Sequence, residues 1–305
     1  MKTNFVRQTV LPVLAAFIWG TAFVAQSLGA ELLPPFAFNA ARSAVAFVFL
    51  LAVCLVLRAV RRGRGRPASS TVSRGQLALG GLCCGAALTV ATNLQQKGLE
   101  TTASGKAGFI TALYIIIVPV LGLLLKKKAP KTVWLGVVLA LAGLYCLCVT
   151  DSFTSVTAGD LYVLLGSLCF AVHILLIDHF TRKVDGVELS CAQFLVAALF
   201  SAVGMLLTEQ PTLTGLTAGF GLILYVGVLS SGVAYTLQIV AQKGSNPTVV
   251  SLLLSLESVF AVLAGAAVLH DRMSGREYLG CLLMLAAVVL AQLPDRKTTA
   301  PADAA

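Results

Sequence analysis

The chain has 305 residues, of which 58% are hydrophobic and only 11% are charged. Because about a quarter of the residues in a soluble domain are charged, this composition excludes a water-soluble fold and indicates that lipid surrounds most of the chain. The formal net charge of +9 lies mainly in short runs beside apolar stretches. Such runs orient membrane proteins, and without an aromatic or helix-turn-helix context they predict no nucleic-acid partner.

Ten stretches are apolar and long enough to cross a bilayer, since a spanning helix needs about 20 mostly apolar residues. They cover residues 10 to 28, 35 to 57, 76 to 96, 103 to 125, 132 to 149, 159 to 180, 188 to 207, 219 to 242, 247 to 269 and 276 to 293. The first stretch is longer than the apolar core of a signal peptide, so we expect a retained helix. The sequence therefore predicts an all-α membrane protein with ten transmembrane helices.

Basic residues predict how these helices are oriented. Most of the 22 Lys and Arg residues lie before the first span, after the last one, or in alternate connections between them. Cytoplasmic loops of membrane proteins hold the excess of Lys and Arg. We therefore expect a multi-pass protein of the cytoplasmic membrane with both termini in the cytoplasm.

The second half of the chain repeats features of the first. Leu94-Gln95 near the end of the third span recurs as Leu237-Gln238 in the eighth, and the fifth and tenth spans share Leu-Gly and Leu-Ala pairs at almost the same offset. This pattern predicts two five-helix repeats, residues 1–150 and 151–293, followed by a polar cytoplasmic tail, residues 294–305. Because five is odd, the two repeats must be inverted relative to each other, as in many secondary carriers.

Several short motifs resemble the EamA-type branch of the drug/metabolite transporter superfamily. They are Trp19-Gly20 in the first span, Pro34-Pro35 and Arg42 in the second, the run from Gly108 to Leu113 in the fourth, the run from Leu256 to Phe260 in the ninth, and Asp271-Arg272 after it. The resemblance extends over most of the chain. It implies a carrier with a solute cavity between its halves and suggests export of amino acids or related metabolites.

Two positions depart from the family pattern. Ser258 stands where the family commonly has proline, so we expect a straighter ninth helix, because proline removes a backbone hydrogen bond and bends a helix. Pro119 is expected to kink the fourth helix instead. Lys128 stands where the first half often has the Glu of a Glu-Arg pair.

Glu257 is the strongest candidate for a transport role. An ionisable group at the centre of a spanning helix costs about 2.5 to 3.5 kcal/mol on insertion scales, so it normally faces a cavity or a partner. Glu257 lies roughly 15 Å from either end of the ninth span by helical rise. It is predicted to be a coupling carboxylate that titrates with protons or binds a cation; the alternative is a protonated or amide-paired structural residue.

Three other ionisable residues lie within spans. Arg42 could hold a carboxylate or phosphate in the cavity, with Gln193 at its place in the repeat, or it could extend to the headgroup region. Lys106 lies near the start of the fourth span, which favours a structural, snorkelling role over anion attraction. His173 could carry protons, or it could hydrogen-bond to a neighbouring helix.

Other polar and aromatic residues complete the predicted cavity. Asn93 and Gln95 end the third span beside Gln96, and Tyr235 with Gln238 repeats this feature in the eighth. Hydrogen bonds between helices are the alternative role for such residues. The family resemblance makes Trp19 and Tyr114 candidate cavity walls, with packing as the alternative.

Gly81 and Gly85, in G-x-x-x-G spacing, predict a close helix contact.

The sequence predicts neither an enzyme nor a cofactor or metal site. It has no Walker-type loop, H-E-x-x-H or G-x-S-x-G motif, and its eight cysteines form no C-x-x-C pair. We therefore expect a secondary transporter that moves a small polar metabolite by alternating access, with protons as the candidate coupling ion. The alternatives are an intramembrane enzyme for a lipid-linked substrate, using Arg42 and Glu257, and a non-transporting membrane scaffold.

Overall fold

The computed structural model describes residues 6–64, 73–102, 104–126, 130–148, 156–269 and 274–292. Asp271, Arg272, Lys128 and the tail from residue 294 lie outside these ranges. Within them the chain forms helices and no strands. The helices are α1 Leu11–Leu32, α2 Pro35–Gly63, α3 Arg74–Gly98, α4a Ser104–Ala112, α4b Tyr114–Leu124, α5 Lys131–Cys148, α6 Ala158–Phe180, α7 Gly186–Thr208, α8 Phe220–Gln242, α9a Pro247–Leu254, α9b Glu257–Leu269 and α10 Gly275–Gln292.

Eight of the described helical stretches are long and apolar enough to cross a membrane. The shorter helices α5 and α10 have 18 residues each. Large apolar side chains such as Leu124, Leu207 and Leu282 are exposed on the outer surface, where lipid would cover them. The prediction of an all-α membrane protein of about ten helices is confirmed.

Helices α4 and α9 are both interrupted near their middle. α4 breaks at Leu113, and α9 breaks at Ser255 and Leu256. At each break a backbone hydrogen bond spans three residues instead of four: the Leu113 N–H donates to the Ile110 carbonyl, and the Leu256 N–H donates to the Leu253 carbonyl. Both helices therefore consist of two segments that meet inside the bundle.

The expectation of a straighter α9 was wrong. Ser255 lies at the break, and its hydroxyl donates to the Leu252 carbonyl at 2.8 Å. A serine hydroxyl that bonds to a backbone carbonyl competes with the helical ladder and bends a helix without proline. In α4 the break at Leu113 precedes Pro119, so the proline itself does not mark the interruption.

Helix α8 contains a wider turn near its centre. Residues Val226–Ala234 have π-helical hydrogen bonding and include two glycines and two adjacent serines. A Cβ on Gly227 would lie 2.7 Å from Val45 Cγ1 of α2, so the absence of a side chain allows α8 to approach α2. Wide turns of this kind are frequent at functional sites.

Helices α2 and α7 pack against each other and are joined at the start of α2. Pro34, which precedes α2, has no side-chain acceptor for the first helical N–H groups. Glu209, directly after α7, supplies one: its two carboxylate oxygens accept the Phe36 N–H at 3.0 Å and the Ala37 N–H at 2.8 Å. A negative charge at this position also complements the helix dipole.

The opposite ends of α2 and α7 are joined by ion pairs. Arg58 contacts Glu188 at 2.9 Å, and Arg61 contacts Asp185 at 3.5 Å. These side chains are partly exposed, so each pair contributes about 1 kcal/mol or less. α2 and α7 are thus linked at both ends. The ion pairs of Arg58 and Arg61 are partly exposed, and the hydrogen bonds of Glu209 are partly buried.

Small residues bring the helices close together, as the G-x-x-x-G spacing predicts. A Cβ on Gly81 would lie 2.6 Å from the Ala192 Cβ, and one on Gly85 would lie 2.6 Å from the Val196 Cβ. α3 therefore packs directly against α7. α5 and α10 approach in the same way, since a Cβ on Gly143 would lie 2.9 Å from the Gly280 carbonyl oxygen.

Replacement of Gly85 with Ile is expected to destabilise the protein. The new side chain would overlap Val196, and overpacking of such a contact costs about 1–3 kcal/mol. Gly221→Ile is the control, because a Cβ on Gly221 would have no neighbouring heavy atom of the described residues within 4 Å. The measurement is the fraction of monodisperse protein after heating in detergent; equal losses for both variants would contradict the packing role of Gly85.

Candidate functional site

A small cavity lies inside the helix bundle where the broken helices meet. Its volume is about 40 Å³, which leaves room for only a few water molecules at about 10–15 Å³ each. Its lining comprises Trp19, Phe23, Gln26, Arg42, Gln95, Thr111, Tyr114, Phe170, His173, Ile174, Ser230, Tyr235, Gln238, Leu254 and Glu257. The cavity therefore combines apolar walls with several polar side chains.

Tyr114 and Glu257 meet at the two helix breaks. The Tyr114 hydroxyl donates to Glu257 Oε1 at 3.0 Å, across a separation of 143 residues. Tyr114 is the first residue of α4b, and Glu257 is the first residue of α9b. The separation equals the offset between Gln95 and Gln238, so the hydrogen bond joins corresponding positions of the two predicted repeats.

Arg42 is buried at the cavity wall. Its side chain is held by Gln26 of α1, whose Oε1 accepts a hydrogen bond from Nη1 at 3.0 Å. The guanidinium carbon also lies 5.9 Å from the centre of the Phe38 ring. With only 3% of its surface exposed, Arg42 does not extend to the headgroup region.

His173 and Gln193 form a similar pair in the second half. His173 Nε2 lies 3.0 Å from Gln193 Oε1, linking α6 to α7 as Gln26 and Arg42 link α1 to α2. His173 lines the cavity, whereas Gln193 lies behind it and is fully buried. Arg42 and Gln193 occupy corresponding positions in the predicted repeats. Each of them bonds to a polar side chain of the preceding helix.

An aromatic wall faces these polar groups. The Trp19 indole N–H donates to the Ser230 carbonyl, in the wide turn of α8, at 3.2 Å. The Trp19 and Tyr235 rings lie edge to face with centroids 4.7 Å apart, and the Phe194 ring also packs edge to face with Tyr235, with centroids 5.6 Å apart. These contacts fix the orientation of both cavity aromatics.

Most of the predicted site residues lie together. Trp19, Arg42, Gln95, Tyr114, His173, Tyr235, Gln238 and Glu257 line the cavity. Gln193 supports it from behind. Asn93 lies elsewhere, because its side chain bonds to Asn39 of α2 and Ser201 of α7, both at 3.0 Å. Asn93 thus makes the interhelical hydrogen bonds that were one of its two predicted roles, and it also lines a second cavity beside the start of α2.

The sequence reasoning missed three polar cavity residues, Gln26, Thr111 and Ser230. Gln26 is buried in the apolar part of α1, and an amide within a spanning helix was a signal that could have identified it. Thr111 accepts a hydrogen bond from Gln95 at 3.0 Å. Ser230 contributes its carbonyl to Trp19, and no sequence pattern indicated the wide turn that places it there.

Arg42 and the acid Glu257 line one cavity without forming an ion pair with each other. Within the described ranges neither residue forms an ion pair. Glu257 is 4% exposed and is bound by Tyr114. Buried ionisable groups without an oppositely charged partner are costly and are often retained for a function. Arg42 can therefore offer a positive charge, and Glu257 a titratable carboxyl group, to a polar solute in the cavity.

Lys106 has a structural partner that the sequence reasoning missed. Its ammonium group lies 2.6 Å from Asp160 Oδ2, and the two side chains are 12% and 7% exposed. The Thr102 hydroxyl and the Thr157 N–H also donate to the Asp160 carboxylate. These contacts join the starts of α4a and α6, so Lys106 stays inside the protein instead of snorkelling.

Lys106→Met is expected to destabilise the protein by about 3–5 kcal/mol, because it leaves the buried Asp160 charge without its cation. The control is Lys97→Met, since Lys97 pairs with Glu100 at an exposed position and such pairs contribute about 1 kcal/mol or less. The double variant Lys106→Met, Asp160→Leu should regain part of the loss. Thermal unfolding in detergent measures all three; equal effects of the two Lys variants would contradict the assignment.

The fold agrees with comparisons to known proteins. The sequence model of the EamA-like transporter family matches residues 9–149 and 157–293. The chain belongs to this EamA-like transporter family. It is therefore a multi-pass membrane protein of a transporter type, and the family resemblance of its motifs is confirmed.

Relatives of this chain are also described as transporters. It is 28% identical to an uncharacterized transporter of Archaeoglobus fulgidus, over 92% of this chain and 84% of that protein. It is 29% identical to the uncharacterized transporter YwfM of Bacillus subtilis, over 99% of both chains. It is 24% identical to the uncharacterized inner membrane transporter YedA of Escherichia coli, over 96% of both chains.

One solved crystal structure has the same fold. It aligns with a TM-score of 0.75 over 93% of this chain and 96% of the other, at 17% sequence identity. At this identity the match supports the arrangement of the helices and carries no information on the solute.

Proposed function

We propose that the protein is a secondary transporter that exports a small polar metabolite, an amino acid or related solute, across the cytoplasmic membrane by alternating access. The central cavity carries this proposal: it lies where α4 and α9 break and holds Arg42 and the acid Glu257, which form no ion pair within the described ranges. Broken helices around a buried polar site are the usual architecture of secondary transporters.

The paired contacts around the cavity support two inverted five-helix repeats, residues 1–150 and 151–293. The Tyr114–Glu257 bond joins corresponding break points, and the Gln26–Arg42 and His173–Gln193 pairs flank it. Two halves with similar internal contacts have similar packing energies in either arrangement, so outward-open and inward-open states lie close in free energy.

Glu257 is the proposed coupling residue, with protons as the coupling ion. The charged or titratable side chains that share its cavity are Arg42, Tyr114, His173 and Tyr235. An ionised Glu257 attracts a cationic group of the solute, whereas a protonated Glu257 is neutral and does not, so solute binding and proton binding at this carboxylate would alternate. A transmembrane proton gradient could then drive the solute.

Reconstitution tests the transport activity without assuming a solute. Proteoliposomes are loaded with a mixed pool of labelled amino acids and metabolites, and efflux is measured with and without a pH gradient. Selective efflux above that from protein-free liposomes is expected. No selective efflux under either condition would contradict the carrier and favour the enzyme or scaffold alternatives.

Glu257→Gln is expected to remove most of the pH dependence of transport while leaving the fold intact, because the amide oxygen can still accept the Tyr114 hydroxyl. Glu100→Gln is the control, since Glu100 lies outside the cavity and pairs with Lys97 at the surface. The measurement is the initial efflux rate across a range of pH. An unchanged pH profile for Glu257→Gln would disprove the coupling role.

A further inference from the structure

The second cavity is larger than the central one and lies at the surface of the helix bundle. Its volume is about 750 Å³, and it lies between the start of α2, the last turns of α3, the first turns of α6 and the end of α7. Two of its lining residues, Val90 and Tyr162, are 50% and 39% exposed, so the cavity is open on its outer side. The two cavities share no lining residue. A volume of this size is typical of ligand pockets.

The second cavity arises from the way α3 and α7 pack. The two helices touch closely at Gly85, and further along them the Asn93 amide donates to the Ser201 hydroxyl at 3.0 Å. Beyond Ser201, α7 approaches α2 instead, since a Cβ on Gly204 would lie 2.5 Å from the Phe36 ring. A gap therefore remains beside the last turns of α3.

This gap extends from the ends of the helices into the depth of the bundle. Thr89, Val90, Asn93, Leu94 and Lys97 line it along one face of α3. The rise from residue 89 to residue 97 is about 12 Å, and half of the hydrocarbon core of a bilayer is about 15 Å thick. The cavity thus reaches from the membrane boundary through most of one leaflet.

The inner part of the cavity, lined by residues 89–94 of α3, has no free hydrogen-bond donor among its described residues. The Thr89 hydroxyl donates to a carbonyl of its own helix at 2.7 Å. Both N–H groups of the Asn93 amide are used within the bundle, and its oxygen accepts from Asn39. Val90 and Leu94 are apolar. A polar ligand would be desolvated here without compensation, so the inner part matches a hydrocarbon chain.

The mouth of the cavity has charged groups at the ends of the helices. The Lys97 ammonium lies 2.6 Å from Glu100 and is half exposed, and an ammonium has three N–H donors, so others remain for a second acceptor. Each oxygen of Glu209 accepts one backbone N–H, from Phe36 or Ala37, and a carboxylate has about four acceptor positions. The charged groups of the described lining are thus one ammonium and two carboxylates.

An apolar chain attached to a charged headgroup matches both parts of the cavity. A headgroup with a phosphate and a primary ammonium complements the mouth, because the phosphate can accept from Lys97 and the ammonium can donate to Glu209. A glycerol headgroup would leave the phosphate charge unbalanced beside two carboxylates. A choline nitrogen has methyl groups instead of N–H donors and cannot bond to Glu209. The charges therefore favour ethanolamine over both.

We propose that the second cavity is a binding site for phosphatidylethanolamine. One acyl chain lies along Val90 and Leu94, the phosphate binds Lys97, and the ammonium binds Glu209. The bound lipid fills the gap between α3 and the α2–α7 pair. This site is separate from the central cavity and does not depend on which solute the protein transports.

Lipid competition tests the site on the full chain. The protein, purified in detergent, is mixed with equal amounts of phosphatidylethanolamine, phosphatidylcholine and phosphatidylglycerol with identical acyl chains, and the retained lipid is measured by native mass spectrometry. Phosphatidylethanolamine is expected to be retained about threefold more than either competitor. Equal retention of all three, or a preference for phosphatidylglycerol, would overturn the proposal. So would displacement of the lipid by equimolar soluble phosphoethanolamine, which has no acyl chain.

Val90→Trp fills the inner part of the cavity and is expected to reduce lipid retention about fivefold. Val48→Trp is the matched control, because Val48 is also an exposed valine of a spanning helix and does not line the cavity. Size-exclusion profiles verify that both variants fold. Equal retention by the two variants would overturn the site, as would a lipid-free dimer that only Val90→Trp dissociates, since a second copy of the chain would then occupy the cavity.

Two further variants separate the headgroup contacts. Lys97→Met should weaken the retention of phosphatidylethanolamine and phosphatidylcholine alike, because both have the phosphate. Glu209→Gln should remove the preference between these two lipids, because only the ethanolamine ammonium donates to the carboxylate. A preference that survives Glu209→Gln in folded protein would overturn the assignment of Glu209; if this variant does not fold, the lipid competition and Val90→Trp decide.

Discussion

The hydrogen bond between Tyr114 and Glu257 is the contact around which the cavity is organised. In lipid, a carboxylic acid needs a partner inside the protein, and Glu257 obtains one from the corresponding position of the other predicted repeat. Because both residues begin the second segment of a broken helix, one bond joins the two interruptions. The wide turn of α8 and the buried Gln26–Arg42 and His173–Gln193 pairs then surround this point.

The distribution of polar contacts separates structural groups from groups available to a solute. Lys106 and Asp160 bind each other, and Asn93 is occupied by Asn39 and Ser201. Gln238, by contrast, lies on the cavity wall with an oxygen that no described residue satisfies. Hydrogen bonds between helices satisfy most buried amides in a membrane protein, so an unpartnered oxygen on the cavity wall can accept a hydrogen bond from a group that enters the cavity.

Hydropathy and polar residue types predicted the helices and most of the cavity, because both depend on the cost of placing polar atoms in lipid. Two features could not be predicted in this way. α9 breaks at Ser255 and Leu256, whereas the expectation of a straighter helix rested only on the absence of proline at residue 258. The partner of Lys106 could not be identified because Asp160 is distant in sequence and its contact depends on how α4a packs against α6.

The two ends of the α2–α7 pair respond differently to dissolved salt. The Arg58–Glu188 and Arg61–Asp185 contacts are partly exposed, and mobile ions screen such charges over a Debye length of about 8 Å at physiological ionic strength. The Glu209 contact with the start of α2 is partly buried and consists of direct hydrogen bonds to backbone N–H groups, so ions weaken it less. The ionic strength of the solution around Arg58 therefore affects the energy needed to separate these helices at that end, whereas the energy needed at the Glu209 end depends on it less.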